Sequence, residues 1–479
     1  MTSTTPDRLY LGGEWVTPTL PPLVVTSPHD GSVVAEAANA SEDDVDRAVA
    51  AARHAFDHGP WPRLAPDDRI AAVERIAAGY ATRLDEMAEL VTRENGSPLL
   101  FSQIGQVGSI ATMIDGFVAA ARATGWSETL TGPYGPYELV REPVGVVAAI
   151  PAFNVPQVII IGKLVPALLA GCTVVVKPSP EVPLDALLLA RIIDEAGLPE
   201  GVVSILPGGA EPGRHLVAHP DVDMVTFTGS TPVGREIGKV CGEQMKRMAL
   251  ELGGKSAAIV LDDADPERTA EGLRFASFIN NGQACAAQTR VLAPRSRHAE
   301  LVDALEAAVG RFVVGDPMDL ATEVGPVVSK RQQEKVLAFI RGGVDEGARV
   351  VIGGAEPIDG LEAGCYVRPT LFAGATNDQR IAREEIFGPV LTVIAYDDED
   401  EAVRLANDSP YGLAGSVWTA DVAHGRAIGR RIRTGTFGIN RYGPDPTTPF
   451  GGFKASGVGR EYGAEGLKEF VEIKTLHGG

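Results

Sequence analysis

The run VGVVAAI at residues 144–150 opens a series of short apolar, β-branched segments: CTVVVKP at 172–178, VVSILPG at 202–208, MVTFTGS at 224–230 and MALELGG at 248–254. Segments this apolar leave no polar face, so each reads as a strand buried on both sides. Between them lie amphipathic stretches: a helix from Lys163 to Ala170, another over Leu184 to Ala196, a third from near Pro212 and a fourth through Gly234 to Cys241. Strands that alternate with helices imply a parallel sheet covered on both faces. The pattern is that of an α/β dinucleotide-binding domain.

Downstream of Gly253 a second alternating series begins with SAAIVL, a helix holding Arg268 to Ile279, RVLAP, and helices over Ala299 to Phe312 and Lys330 to Gly347. ARVVIGG, VRPTLFAG, LTVIAYD and GSVWT supply further strands, so a second α/β domain follows the first. Upstream, residues 8–36 read as short strands around turns. Ser41 then caps a helix that starts with three acids and carries Val45, Val49, Ala52 and Phe56 at helical spacing. Helices continue through Ala65 to Glu94 and Ser102 to Ala123, while WSETLTGPYGPYELVREP at 126–143 reads as a hairpin or ribbon. The final LKEFVEIKTLHGG is a charged amphipathic strand, which on a single copy would expose an edge and so points to self-association.

Composition narrows the function classes. At 479 residues the chain is long enough for about three domain equivalents. Its 44% hydrophobic and 22% charged content are those of an ordinary globular protein. A formal net charge of −20 argues against a nucleic-acid surface. Cys172, Cys241, Cys285 and Cys365 lie far apart with no CxxC pair, so neither a metal site nor a disulfide framework is expected, and a reducing cytoplasm fits best. The opening MTSTTPDRLYLGGEW has no apolar core of leader type, and no stretch offers the ~20 uninterrupted apolar residues of a spanning helix.

FASFINNGQACAAQTR at 275–290 places Cys285 among small and polar residues. From these residues alone a nucleophile and a buried structural thiol are equally good readings. Glu251 in LELGGKS and Asn154 in PAFNVP stand where Gly or Pro breaks an apolar run, the places where strands hand over to loops. Thiol, carboxylate and amide are the three groups that oxidation of an aldehyde through a thioester requires.

These residues carry a resemblance. The cysteine stretch is similar to the FxxxGQxCxAxxR pattern of the aldehyde dehydrogenase superfamily, and Glu251 resembles its ELGGK glutamate, 34 residues upstream. EEIFGPV at 384–390, NDSPYGLAGSVWT at 407–419 and PFGGFKASGVGRE at 449–461 follow in the family's order. The resemblance implies that Cys285 attacks the aldehyde, that Asn154 and the Cys285 N–H stabilise the oxyanion, and that Glu251 activates the hydrolytic water. It assigns Lys163 and Glu461 to a proton relay. Ile150 and Pro151 would line the adenosine cleft and Gly209 the adenine pocket, with Lys177 on a ribose. Gly229 and Ser230, at a helix N-terminus suited to a pyrophosphate, would hold that group. Leu252, Glu385 and Phe387 would complete the nicotinamide end.

Two departures stand out. Phe153 replaces a tryptophan common in relatives, and Pro180 replaces a glutamate common in NAD-selective ones, which leaves NAD and NADP both open. NAD stands first because Glu181 is at hand to supply the missing acceptor. The expected organisation is a Rossmann-like dinucleotide-binding domain (1–125 and 144–253), an α/β catalytic domain (254–452) and a β-ribbon oligomerisation element (126–143 and 453–479) of a homodimer or homotetramer. Ala284, Ala286, Val155, Ile159 and Gly162 predict a roomy, apolar entry. An acyl-transferring enzyme that makes a coenzyme A thioester is the alternative, against which Glu251 argues; a structural protein that kept the fold is another.

Overall fold

The computed structural model describes residues 6–443 and 445–477. The expectations that touch residues 1–5, Pro444, and Gly478 with Gly479 lie outside the described residues. The predicted alternation is present: strands β1 (Val146–Ile150), β2 (Thr173–Val176), β3 (Val203–Ile205), β4 (Met224–Thr228) and β5 (Arg247–Glu251) form a parallel sheet in the order β3-β2-β1-β4-β5. Leu9–Leu11 and Glu14–Val16 extend it at one edge, Leu9–Leu11 antiparallel to β3 and Glu14–Val16 antiparallel to Leu9–Leu11.

Strand periodicity sorts the core. In β1, Val147 and Ala149 face one cluster with Ile70, Val73, Ile76, Phe117 and Leu164. Val146, Ala148 and Ile150 face the opposite cluster with Val45, Val49, Leu216 and Ile237. Helices therefore cover both faces. The helix read through Lys163 to Ala170 starts seven residues, about two turns, ahead of Lys163, as α1 (Pro156–Ala170), with Pro156 in its first turn, where a missing N–H costs nothing, and Pro166 inside it.

The second sheet comprises β6 (Ala257–Val260), β7 (Arg290–Pro294), β8 (Arg349–Ile352), β9 (Thr370–Ala375), β10 (Val390–Tyr396), β11 (Gly415–Trp418) and β12 (Gly438–Ile439), ordered β8-β9-β10-β7-β6-β11-β12. Only β8 runs antiparallel. Ile259, Leu292 and Ile394 face one side of it and Ala258, Val291 and Val393 the other.

The ribbon at 126–143 is a hairpin of Ser127–Gly132 and Gly135–Pro143, joined antiparallel by the terminal strand Val471–His477. The segment 453–479 is not all of this kind. Gly457–Val458 pairs with β5 and closes the first sheet, and Phe453–Lys454 pairs with Tyr411–Gly412, because the chain must cross both units before it reaches the hairpin.

Leu99–Ala123 is helical over most of its length and apolar enough by composition to cross a membrane, with half of its most apolar window buried in this fold, although Gln103, Gln106 and Asp115 break its apolar run. Its buried face, including Ile110, Met113, Ile114 and Phe117, packs into the core of the first unit. A π-helical segment, Ser102–Val107, interrupts it.

Candidate active site

Two sheet edges meet across a cleft. The carboxyl ends of the first sheet deliver Ile150 to Asn154, Lys177, Ser179 to Glu181, Thr228 to Ser230, and Glu251 to Gly253. The segments leading into β7 and β10 deliver Ala284 to Ala287, Glu385 and Phe387, and all these groups line one cavity of about 630 Å³. In the first sheet β2 and β3 lie to one side of β1, and β4 and β5 to the other. Such a reversal of strand order opens a crevice at the carboxyl ends, the usual ligand site of an open α/β sheet.

The cysteine loop is held in an unusual backbone shape. Helix α2 (Pro266–Phe278) ends just before Asn280 and Asn281, whose φ values are 53° and 59°, and Gly282 follows at 72°. Asparagine tolerates the left-handed region better than most side chains, and here each amide fixes the turn. Asn281 Nδ2 donates to the carbonyls of Gly96 (2.9 Å) and Pro326 (2.8 Å), and its Oδ1 accepts from Gly325 N (2.7 Å). Asn280 Nδ2 donates to the Asn154 carbonyl at 2.7 Å. A Cβ on Gly254 would lie 2.1 Å from the Cys285 carbonyl oxygen, so the glycine lets the Glu251 strand end pass directly beneath the cysteine.

Asn154 is buried, and its Nδ2 donates to the Gln283 carbonyl at 3.0 Å, two residues before Cys285. Behind it Asn95 donates to the Phe153 carbonyl, Ser97 joins Asn95 to Asn280, and Gln106 donates to Ser97. Asn95, Ser97, Gln106 and Asn280 are all buried. Sequence reasoning missed this bracket, and isolated polar residues of common type gave no signal for it.

Glu251 is 2% exposed, and neither carboxylate oxygen has a hydrogen-bond partner among the described residues. Burial, and then the charge of Glu461, push its pKa well above the carboxylate range, against a smaller pull from Lys163 and Arg460. Burial also raises the Cys285 thiol, helped by the charges of Glu385 and Glu251 and opposed by the N–H groups of Ala286 and Cys285. In this state the thiol is protonated at neutral pH. Lys163, fully buried, is ion-paired with Glu461 and donates to Thr226 Oγ1 at 3.1 Å. Glu461 lines the cavity and Lys163 stands behind it.

Lys177 donates to the carbonyls of Pro178 (2.9 Å) and Gly208 (2.7 Å), and burial pulls its pKa down to about 8. Helix α3 (Thr231–Gln244) starts at Ser230 without a side-chain cap, and Ser230 and Val233 line the cavity, so its first-turn N–H groups are available to an anion. Glu385 Oε1 accepts from Gly254 N at 2.9 Å. Phe387, at φ 61°, packs edge-on against Phe153, ring centres 5.8 Å apart, and its carbonyl accepts from Gln332 Nε2 at 2.7 Å. Leu252 is in the wall; Gly209 is outside it, one residue past the carbonyl that Lys177 grips.

Two expectations need correction. Glu181, expected to stand ready as the missing acceptor, is already engaged, for it accepts from Ser179 Oγ and pairs with Arg331 at 3.2 Å. The room expected beside Gly162 is filled, since a Cβ there would lie 2.4 Å from the Tyr462 ring. Arg331, Gln332 and Lys335, on helix α4 (Lys330–Asp345), line the cavity without having been singled out from sequence, because surface-type residues at a helix start look like any solvated turn.

Known proteins agree with this architecture. The model of the "Aldehyde dehydrogenase family" matches residues 15–476. A geranial dehydrogenase of Castellaniella defragrans is 43% identical over 473 residues, covering 98% of each chain. A Mycobacterium tuberculosis aldehyde dehydrogenase solved with NAD+ superposes with a TM-score of 0.96 at 48% identity, covering 98% of this chain and 97% of that one. A variant of a Pseudomonas syringae aldehyde dehydrogenase, solved with NAD+ and octanal, gives 0.95 at 40% identity, covering 98% and 96%.

Proposed function

The chain belongs to the aldehyde dehydrogenase family and oxidises an aldehyde to the carboxylic acid with NAD(P)+, and we propose that Cys285, Glu251 and Asn154 carry out the reaction, with NAD as the working cofactor. The observation that carries this reading is Glu251: a buried carboxylate with no hydrogen-bond partner for either oxygen among the described residues, in the same wall as Cys285 and Asn154. A structural carboxylate at that depth would be paired. A general base that must take a proton from water needs its oxygens free and its pKa raised toward neutrality.

The Cys285 thiol loses its proton to solvent and adds as the thiolate to the aldehyde carbon, and the Asn154 amide with the Cys285 N–H steadies the oxygen as charge develops. When bound, the nicotinamide would supply the hydride acceptor. Glu251 then activates water to cleave the thioester. The Glu461–Lys163 ion pair behind it relays the proton outward. Free N–H groups at the start of α3 suit the pyrophosphate, and Lys177, Glu385 and Phe387 suit the two ribose-bearing ends. The domain division, the self-association through the hairpin sheet and a cytoplasmic setting are part of the same reading, supported by the separate sheets and four free cysteines.

The substrate is a medium-sized apolar aldehyde. Phe101, Met113, Val158, Ile279, Tyr442 and Phe450 form the wall near Cys285, and the charged groups there, Glu251 and the ion-paired Glu461, are committed to the chemistry. Relatives named for geranial, or solved with octanal, are of this kind. Each buried CH₂ contributes up to ~0.8 kcal/mol, so kcat/KM should climb from acetaldehyde to octanal. A panel of aliphatic, branched, aromatic and acidic aldehydes tests it. Preference for acetaldehyde or for a carboxylated semialdehyde would refute the apolar assignment.

A further inference from the structure

Glu181 and Arg331 stand on opposite sides of the cleft. Glu181 belongs to the turn after β2, beside Pro180, and Arg331 to the first turn of α4 in the second unit. Their ion pair, at 3.2 Å, bridges the two units across the mouth of the cavity that both residues line together with Lys177 and Ser179. The second Glu181 oxygen accepts from Ser179 Oγ. Both oxygens are thus engaged, and the carboxylate's charge is offset by a guanidinium. A free carboxylate here would accept from ribose hydroxyls and repel a phosphate; this one is tied away from that task.

Arg331, in contrast, is only lightly committed. Its side chain is 86% exposed, and the Glu181 contact is through a single nitrogen. A planar guanidinium offers five donors in a fork that matches a phosphate's oxygens, and a dianionic phosphate is a stronger partner than a carboxylate that already has a second donor. We propose that Arg331 reads the 2′-phosphate of NADP, exchanging Glu181 for it, so that the enzyme accepts NADP alongside NAD and Arg331 sets the ratio. The inference rests on the reading of this cleft as the cofactor site.

NAD+ and NADP+ differ only in that phosphate, so their dissociation constants, measured by calorimetry on the full chain, isolate it. Arg331→Ala should weaken NADP+ by roughly ten- to a hundredfold, the loss of one charge-assisted contact. NAD+ should change by less than about threefold, as for an exposed ion pair. Arg331→Lys, which keeps the charge without the fork, should fall between wild type and Arg331→Ala for NADP+. Equal weakening of both cofactors would make the pair a mere strut between units and overturn the proposal, as would an unchanged NADP+ affinity. Failure of the wild type to bind either cofactor is a different result, and it would overturn the reading of the cleft itself.

Discussion

At the scale of single residues, the groups proposed for catalysis stand out because each lies at a break in a strong pattern. Glu251 ends an apolar strand, Asn154 follows one, and Cys285 interrupts a polar loop. Their protonation was not legible, because it depends on what burial and neighbouring charges do in three dimensions. Both the thiol and the carboxyl are raised, each mainly by burial. For Glu251 the sign is direct: the basic form grows as pH rises through the raised pKa, so thioester hydrolysis should accelerate with pH above the ordinary carboxylate range. In Glu251→Gln a burst of NADH should precede a steady rate slowed by about 10²–10⁴-fold, with that pH dependence gone. Stopped-flow absorbance checks this. A slowed first turnover with no burst would instead mean that Glu251 chiefly activates the thiol.

At the scale of elements, what the sequence could reveal was the alternation of strands and helices, since periodicity is local. What escaped were features set by distant partners. Asn95 and Ser97 bracket the Asn154 loop from the end of a helix far upstream, and the left-handed Asn280–Asn281 pair is fixed by carbonyls of Gly96 and Pro326. The glycines of LELGGKS are legible only as a turn until the cysteine loop lies over them. Gly254 permits that approach, and a methyl group there would meet the Cys285 carbonyl at 2.1 Å. Gly254→Ala should therefore cost activity well beyond its cost in stability, because relief of the clash moves Cys285 relative to Glu251. Overpacking of this kind typically costs about 1–3 kcal/mol. A loss of unfolding free energy of that size with kcat unimpaired would show that the loop yields without displacing the thiol.

At the scale of the whole molecule, the site exists because the carboxyl edge of one sheet faces the leading edge of another, and a long chain of two α/β units was readable for just that reason. Assembly was inferred from a charged terminal strand. In the structure Val471–His477 extends the hairpin sheet and leaves Ile473 66% exposed and Leu476 48% exposed, on a sheet whose two edges are unpaired among the described residues. Such an edge favours pairing with another copy. Light scattering should give a multiple of 50.3 kDa for the full chain and loss of that multiple when residues 471–479 are removed; a monomeric full chain would refute the assembly. All three scales converge on one covalent event, the acylation of Cys285. Its most direct measurement is mass spectrometry of Glu251→Gln quenched after mixing with NAD+ and octanal. The peptide containing Cys285, and no other, should gain an octanoyl group, the mass of the aldehyde less two hydrogens, and Cys285→Ala should give neither that adduct nor NADH. NADH and octanoate formed by Cys285→Ala at a rate comparable to wild type would contradict it.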